Sequence, residues 1–251
     1  MVAGLTLFSG FGLGSLLLPV FALFFPLEIA VAATAVVHLA NNLLKLALVG
    51  RHANWPVVLR FGVPALPAAF LGALLLGYVS YLAPTTEYAL GGRTYSITWI
   101  GILMGCLIVA FAILDLLPVF DRVRLDARYL PLGGVLSGLF GGVSGHQGAL
   151  RSAFLIQAGL SKEEFIGTGV VCAVAVDLVR LLVYAAWAMD GELSALAGDN
   201  GVWLLVTATV SAFLGSFWAA RWMHRVTLGS VRRLVGALLL ILGGAIAAGL
   251  V

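Results

Sequence analysis

The sequence predicts an all-α polytopic membrane protein made of two inverted four-segment repeats, with six full transmembrane helices and two re-entrant broken-helix hairpins. Three observations predict this fold class. Of the 251 residues, 62% are hydrophobic and 10% are charged, which is too little polar surface to solvate a globular domain of this size. Matching residues recur at similar spacings in the two halves. The loop Lys and Arg residues collect on one side of a membrane only if a segment re-enters.

The hydrophobic residues are arranged in separate apolar segments along the chain. A membrane helix needs roughly 20 apolar residues to cross about 30 Å of hydrocarbon. Such stretches lie at 1–25, 29–50, 56–81, 97–119, 130–159, 165–189, 201–220 and 231–250. The first stretch lacks a basic leader and a cleavage site, so we expect it in the mature fold. Strand pairing is not expected, because no alternating pattern of about ten residues occurs.

The repeat follows from pairs of residues at nearly constant separation, with changes of offset confined to loops. The pairs are Gly14 with Gly148, Leu16 with Leu150, Thr34 with Thr168, the run from Ala69 to Gly72 with the run from Ala212 to Gly215, and Gly105 with Gly236. We therefore expect a first repeat at 1–119, a cytoplasmic linker at 120–129 and a second repeat at 130–251. Each repeat then holds one hairpin and three spans.

Loop charges decide how the repeats are oriented, since basic residues stay cytoplasmic. If all eight segments cross the membrane, four basic residues lie on one side and six on the other, so neither orientation is favoured. If segment five enters and leaves on the same side, nine lie in the cytoplasm: Arg51, Arg122, Arg124, Arg128, Lys162, Arg221, Arg225, Arg232 and Arg233. Arg93 then lies outside, together with the acidic 190–200 loop. Segment five is therefore predicted to be re-entrant.

A glycine-rich run interrupts each of the two segments that are predicted to form hairpins. The run from Gly141 to Gly148 leaves about ten apolar residues on each side of segment five, too few to span. The run from Ser9 to Ser15 interrupts segment one similarly, although the loop charges also permit segment one to span. Half-helices beginning at Ser15 and near Gly148 would aim positive N-terminal ends at a shared cavity, which favours an anion. The alternative is that the glycines only permit close packing.

Segment two carries a polar face within apolar sequence. Thr34, His38, Asn41, Asn42 and Lys45 are spaced to lie on one side of a helix. Residues of this kind do not face lipid, so they line either a site or a hydrogen-bonded helix interface. We expect Lys45 to reach toward the cytoplasmic surface.

Segment six carries Asp177, Arg180 and Tyr184 on one face, with both charges near mid-membrane. Central charges cost at least about 2.5 kcal/mol each, so they form a pair, a site or both. Arg151 has no carboxylate beside it in sequence and is the preferred anion ligand, because guanidinium presents a bidentate fork. The formal charge of this group is near +2, because it contains the three cations Lys45, Arg151 and Arg180 and the one anion Asp177. His38 and His146 change charge near neutral pH and are candidates for proton coupling.

These patterns define the expected site. The expected substrate-binding residues are Gly12, Gly14, Ser15, His38, Asn41, Asn42, Ser144, His146, Gln147, Arg151 and Arg180, with Asp177 and Lys45 as a coupling or charge pair. Neither Cys106 nor Cys172 belongs to a disulfide or metal pattern, and no metal or cofactor is expected. The net charge of +3 reflects loop residues and topology, so no nucleic-acid partner follows.

The chain resembles the TauE/SafE family of sulfite and organosulfonate exporters over essentially its whole length. The resemblance is carried by the glycine-rich turn of 10–15, which runs into Leu16, Leu17, Leu18 and Pro19, and by the related run from Gly138 to Gly148. The second copy departs from the family pattern, with Ala153 where Pro would fall. The resemblance implies a secondary transporter of a small sulfur-containing anion such as sulfite or sulfoacetate, working as an exporter by alternating access.

Three other interpretations stay open, and one of them is a purely structural membrane protein, against which Asp177 and Arg180 within segment six argue. A polar path closed by two hairpins would also serve a passive anion channel. The run Gly142, Val143, Ser144 and Gly145 matches a motif of intramembrane serine proteases. That chemistry needs a histidine base from a later helix, and no later histidine is placed to act on Ser144. An enzyme is therefore not expected. The expected partners are the lipid bilayer, a small anion and a coupling proton or sodium ion. The expected location is the plasma membrane, as in the inner membrane of a bacterium, and a homodimer is compatible with the sequence.

Overall fold

The fold is helical with one β-hairpin in the part of the chain that the computed structural model describes, which is residues 13–117, 126–188, 202–203, 206–211, 214 and 228–250. The helices are α1 Leu13–Ala22, α2 Leu27–Val49, α3 Trp55–Ser80, α4 Trp99–Leu116, α5 Leu130–Ser144, α6 Gly148–Leu155, α7 Lys162–Ala188 and α8 Leu228–Ala247. Among the described residues, three stretches are long and apolar enough to cross a membrane: Leu27–His52, Trp55–Ser80 and Lys162–Ala186. The helical membrane class is therefore confirmed.

The predicted segment limits differ from the helix ends by a few residues. Side-chain caps explain where several helices begin. The Asn54 side chain accepts a hydrogen bond from the Val57 amide at the start of α3, and Thr98 accepts one from Gly101 at the start of α4. Ser161 and Glu164 cap α7 reciprocally, with the Glu164 amide donating to Ser161 Oγ and the Ser161 amide donating to the Glu164 carboxylate.

Segment five is broken and folds back on itself. Helix α5 continues to Ser144, so the break is narrower than predicted, and Gly145 leaves the helix with a φ of 80°. Helix α6 begins at Gly148. The Ser137 hydroxyl donates to the Gln147 carbonyl at 3.0 Å, and a Cβ at Gly133 would meet the ring of Phe154. Helix α6 thus runs back along α5 as a hairpin.

The predicted break in segment one lies mostly at residues 1–12, outside the described residues, and this includes Gly12. Gly14 and Ser15 were expected in or at the end of this break, but they lie inside α1. The half-helix therefore begins at Leu13, two residues earlier than predicted. The linker at 120–129 and segment seven at 201–220 are described only in part. The repeat boundaries and the six-span topology stay predictions.

The loop between α3 and α4 contains strands, against the expectation of no strand pairing. Strand β1, Thr86–Leu90, pairs antiparallel with β2, Arg93–Ile97, across Gly91 and Gly92, whose φ angles of 60° and 79° suit a tight hairpin turn. The Tyr88 hydroxyl donates to the Ala248 carbonyl, which ties the hairpin to the end of α8. Each strand has five residues, about half the length of a membrane β-strand. Neither strand therefore contains the alternating pattern of about ten residues on which the expectation was based.

A column of glycines brings the backbones of α3 and α5 into contact. A Cβ at Gly134, Gly138 or Gly142 would collide with a carbonyl oxygen of α3, those of Phe61, Ala65 and Ala69 respectively. The positions are four apart on both helices, so one helix lies along the other for two turns. Close packing is therefore one function of these glycines, and it fixes α5 and the chain break that follows it.

Helices predicted to be equivalent in the two halves lie side by side. Helix α2 packs against α7, and α4 packs against α8, where a Cβ at Gly105 would meet the Gly243 carbonyl. This arrangement agrees with a pseudo-twofold repeat.

Replacing Gly138 with Ala is expected to destabilise the protein by about 1–3 kcal/mol, because the methyl group must push α3 and α5 apart. The measurement is thermal unfolding of detergent-purified protein. Gly244→Ala is the control, since a Cβ at this exposed glycine of α8 meets no atom within 4 Å. Equal melting temperatures for the two variants would contradict the packing assignment.

Candidate functional site

A cluster of polar side chains is buried where α2 and α7 meet the α5–α6 hairpin. All twelve buried polar and charged side chains of the described residues belong to these elements. They are Thr34, Asn41, Asn42, Lys45, Ser137, Ser144, His146, Gln147, Arg151, Thr168, Asp177 and Arg180. Polar groups buried in an apolar protein need hydrogen-bond partners, so their contacts define the structure of the site.

Asp177 lies at the centre of the cluster and is fully buried. Its Oδ2 atom accepts hydrogen bonds from His38 Nδ1 at 2.7 Å and Asn42 Nδ2 at 2.8 Å. Its Oδ1 atom accepts from Gln147 Nε2 at 3.0 Å and Arg180 Nε at 3.0 Å. One carboxylate therefore joins α2, the break in segment five and α7.

Arg180 is the charge partner of Asp177, as the ion-pair reading predicted. Its Nη2 atom lies 2.8 Å from Asp177 Oδ1, although this atom lacks hydrogen-bond alignment and its contact is ionic. Gly145 makes room for the guanidinium, because a Cβ there would lie 2.6 Å from Arg180 Nη1. The positive φ and the contact with Arg180 thus both require glycine at this position.

The end of α5 receives two further contacts from α7. The last carbonyls of a helix lack partners within it. Arg180 Nη1 lies 3.5 Å from the Gly141 carbonyl, and the Tyr184 hydroxyl donates to the Gly142 carbonyl. Tyr184 had been placed on the same helix face as Asp177 but not among the expected site residues. Its spacing of seven from Asp177 is the signal that identifies it.

Gln147 connects the Asp177 cluster to Arg151. Arg151 Nη1 donates to Gln147 Oε1 at 3.1 Å, while the amide nitrogen of Gln147 donates to Asp177. Arg151 is buried and lies beside α7, where a Cβ at Gly169 would be 3.5 Å from Arg151 Nε. Because Gln147 precedes α6, this contact lies at the N-terminal end of that half-helix, where a negative charge is favoured.

Lys45 was expected to reach the membrane surface, and this expectation is wrong. Its exposed fraction is 8%, and its charge interacts with that of Arg151. Burial of the lysine results from packing between elements, which a sequence read as an isolated helix does not reveal. The site therefore contains a second buried cation beside Arg151.

Ser144 and His146 contact each other in the break. His146 Nδ1 lies 3.0 Å from Ser144 Oγ, and Ser144 Oγ donates to the Phe140 carbonyl. The serine proton is therefore committed to a backbone oxygen, and His146 acts as the donor in their hydrogen bond. The His146 ring stacks on Phe111 of α4 at 5.2 Å, a contact between distant segments for which the sequence carries no signal. This geometry does not make His146 a base for Ser144.

The structure brings together most of the residues predicted for the site. His38, Asn42, Gln147, Arg151, Asp177 and Arg180 form one hydrogen-bonded network. Asn41 is buried on the same helix as His38, and Ser144 and His146 adjoin the network at Gly145. Gly14 and Ser15 lie on α1, which packs against α2. Gly12 lies outside the described residues.

Asp177→Asn is expected to lower the free energy of unfolding by about 3–5 kcal/mol, because it leaves the buried Arg180 without its counter-charge. The change is measured by reversible unfolding in mixed micelles. Glu163→Gln, at an exposed acid in the first turn of the same helix, is the control and should change stability by about 1 kcal/mol or less. A double Asp177→Asn/Arg180→Gln variant should lose less than the sum of the two single losses, and strict additivity would exclude a coupled pair.

Comparison with known proteins agrees with this architecture. No curated protein and no solved structure matches the chain. The family model of the sulfite exporter TauE/SafE matches residues 1–246, which is nearly the whole length. A transporter family and long apolar helices identify a membrane protein and agree with a function other than catalysis. The resemblance found in the sequence is thereby confirmed, and the chain belongs to the TauE/SafE family of sulfite exporters.

Proposed function

We propose that the protein is a secondary transporter that moves a small sulfur-containing anion out of the cell by alternating access. The anion is sulfite, sulfoacetate or another organosulfonate. Arg151 is its principal ligand, and the site lies between α2, α7 and the break that precedes α6. The protein is a multi-pass component of the plasma membrane, in the manner of a bacterial inner-membrane carrier.

The excess of buried positive charge is the observation that carries the proposal. The buried charged side chains of the described ranges are Lys45, Arg151, Asp177 and Arg180. Asp177 and Arg180 neutralise each other, which leaves two formal positive charges near the start of α6. A net positive charge within an apolar bundle is costly, and an anion bound between these residues lowers that cost.

The chemistry of the ligands favours an oxyanion. A guanidinium presents paired N–H donors that match two oxygens of a sulfonate, sulfite or carboxylate, and a Lys ammonium adds a point charge. The N-terminal end of α6 adds a partial positive charge at the same place. A sulfur oxyanion carries its charge on several oxygens and satisfies these donors together.

The helix arrangement supports alternating access. The site lies between α2 and α7, which are equivalent segments of the two predicted repeats, and beside a broken helix. In transporters built from inverted repeats, broken helices at the interface of the repeats hold the substrate, and one repeat rocks against the other.

The direct test is thermal stability of the purified protein with sulfite, sulfate, sulfoacetate, taurine, acetate and chloride. An anion that binds the folded state at 100 times its Kd adds about 2.7 kcal/mol to stability. We expect one or two sulfur anions to raise the melting temperature and this shift to disappear in Arg151→Ala. Arg60→Ala is the matched control, because Arg60 is an exposed arginine of α3. A shift that survives in Arg151→Ala would remove Arg151 from the site.

Flux measurements in proteoliposomes separate a carrier from a passive channel. A carrier is expected to saturate with anion concentration and to exchange labelled internal anion for unlabelled external anion. Flux that rises linearly with concentration and follows only the electrochemical gradient would identify a channel instead.

A further inference from the structure

We infer that His38, held by Asp177, is the group through which this carrier couples anion movement to protons: anion binding at Arg151 and Lys45 takes up a proton at His38 Nε2. The inference rests on the proposed function, because it assigns the coupling ion and the coupling residue to the same site.

The hydrogen bonds of His38 identify the atom that takes the proton. Its Nδ1 atom lies 2.7 Å from Asp177 Oδ2, and the carboxylate can only accept, so Nδ1 carries a hydrogen. The Asn42 amide, which lies 3.1 Å from Nδ1, donates to the same carboxylate oxygen at 2.8 Å. Neutral His38 therefore has its lone pair on Nε2, and no hydrogen bond joins this atom to another described residue.

The surroundings distinguish His38 from His146. The His38 side chain is 14% exposed, so a proton can reach it, and a carboxylate in contact stabilises the imidazolium. His146 is 5% exposed and is stacked on Phe111, and its contact is the Ser144 hydroxyl rather than a carboxylate. Adding a proton to His146 would place a cation close to Arg180 without a counter-charge.

The charges around His38 make its protonation sensitive to an anion. Asp177 and Arg180 face it from α7, Lys45 lies on its own helix, and His146 faces it from the break. Arg151 of α6 interacts with both Lys45 and Asp177. The cations and the burial of the ring oppose a further positive charge, whereas Asp177 favours it, so the protonation of His38 depends on the balance between these effects. An anion at Lys45 and Arg151 tips this balance toward the protonated ring.

Two physical paths connect the anion to His38. Lys45 is seven residues from His38, so the anion lies roughly 10 Å away along α2, a range over which charges interact strongly in an apolar medium. Gln147 provides the second path, because it accepts from Arg151 and donates to Asp177. An anion that draws Arg151 away from Gln147 weakens that donor, and Asp177 is left with more negative charge to stabilise protonated His38.

This linkage has a thermodynamic consequence. If an anion favours the protonated ring, the protonated ring favours the anion by the same factor. Anion affinity is therefore expected to rise as pH falls through the titration of His38, by at most about tenfold per pH unit. The anion and the proton then cross the membrane together, and their combined gradients set the direction of net movement.

The test measures protons taken up when the full-length protein binds sulfite, sulfoacetate or methanesulfonate. Calorimetric titrations in two buffers of different ionisation enthalpy give this number between pH 6 and 8, the range about the unperturbed histidine value. Wild-type protein is expected to take up a fraction of a proton, at most about one, per anion. His38→Gln keeps a donor for Asp177 and is expected to lose this uptake, together with the rise of anion affinity as pH falls. The difference between the two proteins removes any titration of the anion itself.

The outcomes separate the coupling inference from the proposed function. Binding of an anion by wild-type protein without proton uptake would overturn the inference and leave the carrier intact, and this result needs no variant to fold. Uptake that persists in His38→Gln, or that is lost only in His146→Gln, would also overturn it. Failure of every anion to bind would instead reject the proposed function. His52→Gln, which replaces a histidine in the turn after α2, is the matched control and should keep full uptake.

Discussion

The buried carboxylate of Asp177 is the constraint on which the rest of the site depends. A charge inside an apolar bundle is tolerated only when hydrogen-bond donors surround it, and here the donors come from α2, α7 and the break in segment five. Each of these elements is fixed relative to the others by the same two oxygen atoms. His38, Gln147 and Arg180 therefore have defined orientations before any ligand arrives, and a pre-ordered site spends less free energy on ordering itself when it binds.

Glycine makes this arrangement sterically possible. The column of Gly134, Gly138 and Gly142 lets α5 lie directly on the backbone of α3, which sets the position at which the chain breaks. At that break Gly145 leaves room for the Arg180 guanidinium, and two carbonyls near the end of α5 are contacted by side chains of α7. The glycines therefore permit close packing, and Gly145 also leaves room for a buried charged side chain.

The charges of the site divide into a neutral part and a positive part. The charges of Asp177 and Arg180 cancel, whereas those of Lys45 and Arg151 repel each other. Gln147 connects the two parts because one end of its amide accepts from Arg151 and the other donates to Asp177. In the proposed carrier, this division would let the positive part attract a small oxyanion while the neutral part transmits the effect of binding to His38, two helix turns from Lys45.

The sequence by itself determined the properties that depend on local pattern. Apolar run length marked the membrane helices, glycine density marked the break before Gly148, and helical periodicity placed His38 with Asn42 and Asp177 with Arg180, since each depends on neighbours along the chain. Tertiary structure alone decided the partners. Asp177 binds His38 across 139 residues, Phe111 stacks on His146, and Lys45 is buried rather than reaching the surface. The short strands from Thr86 to Ile97 also form against the end of α8. These contacts join segments that are far apart in the sequence, so no periodic pattern predicts them. Their free energy comes from packing between elements and not from the order of residues within a single element.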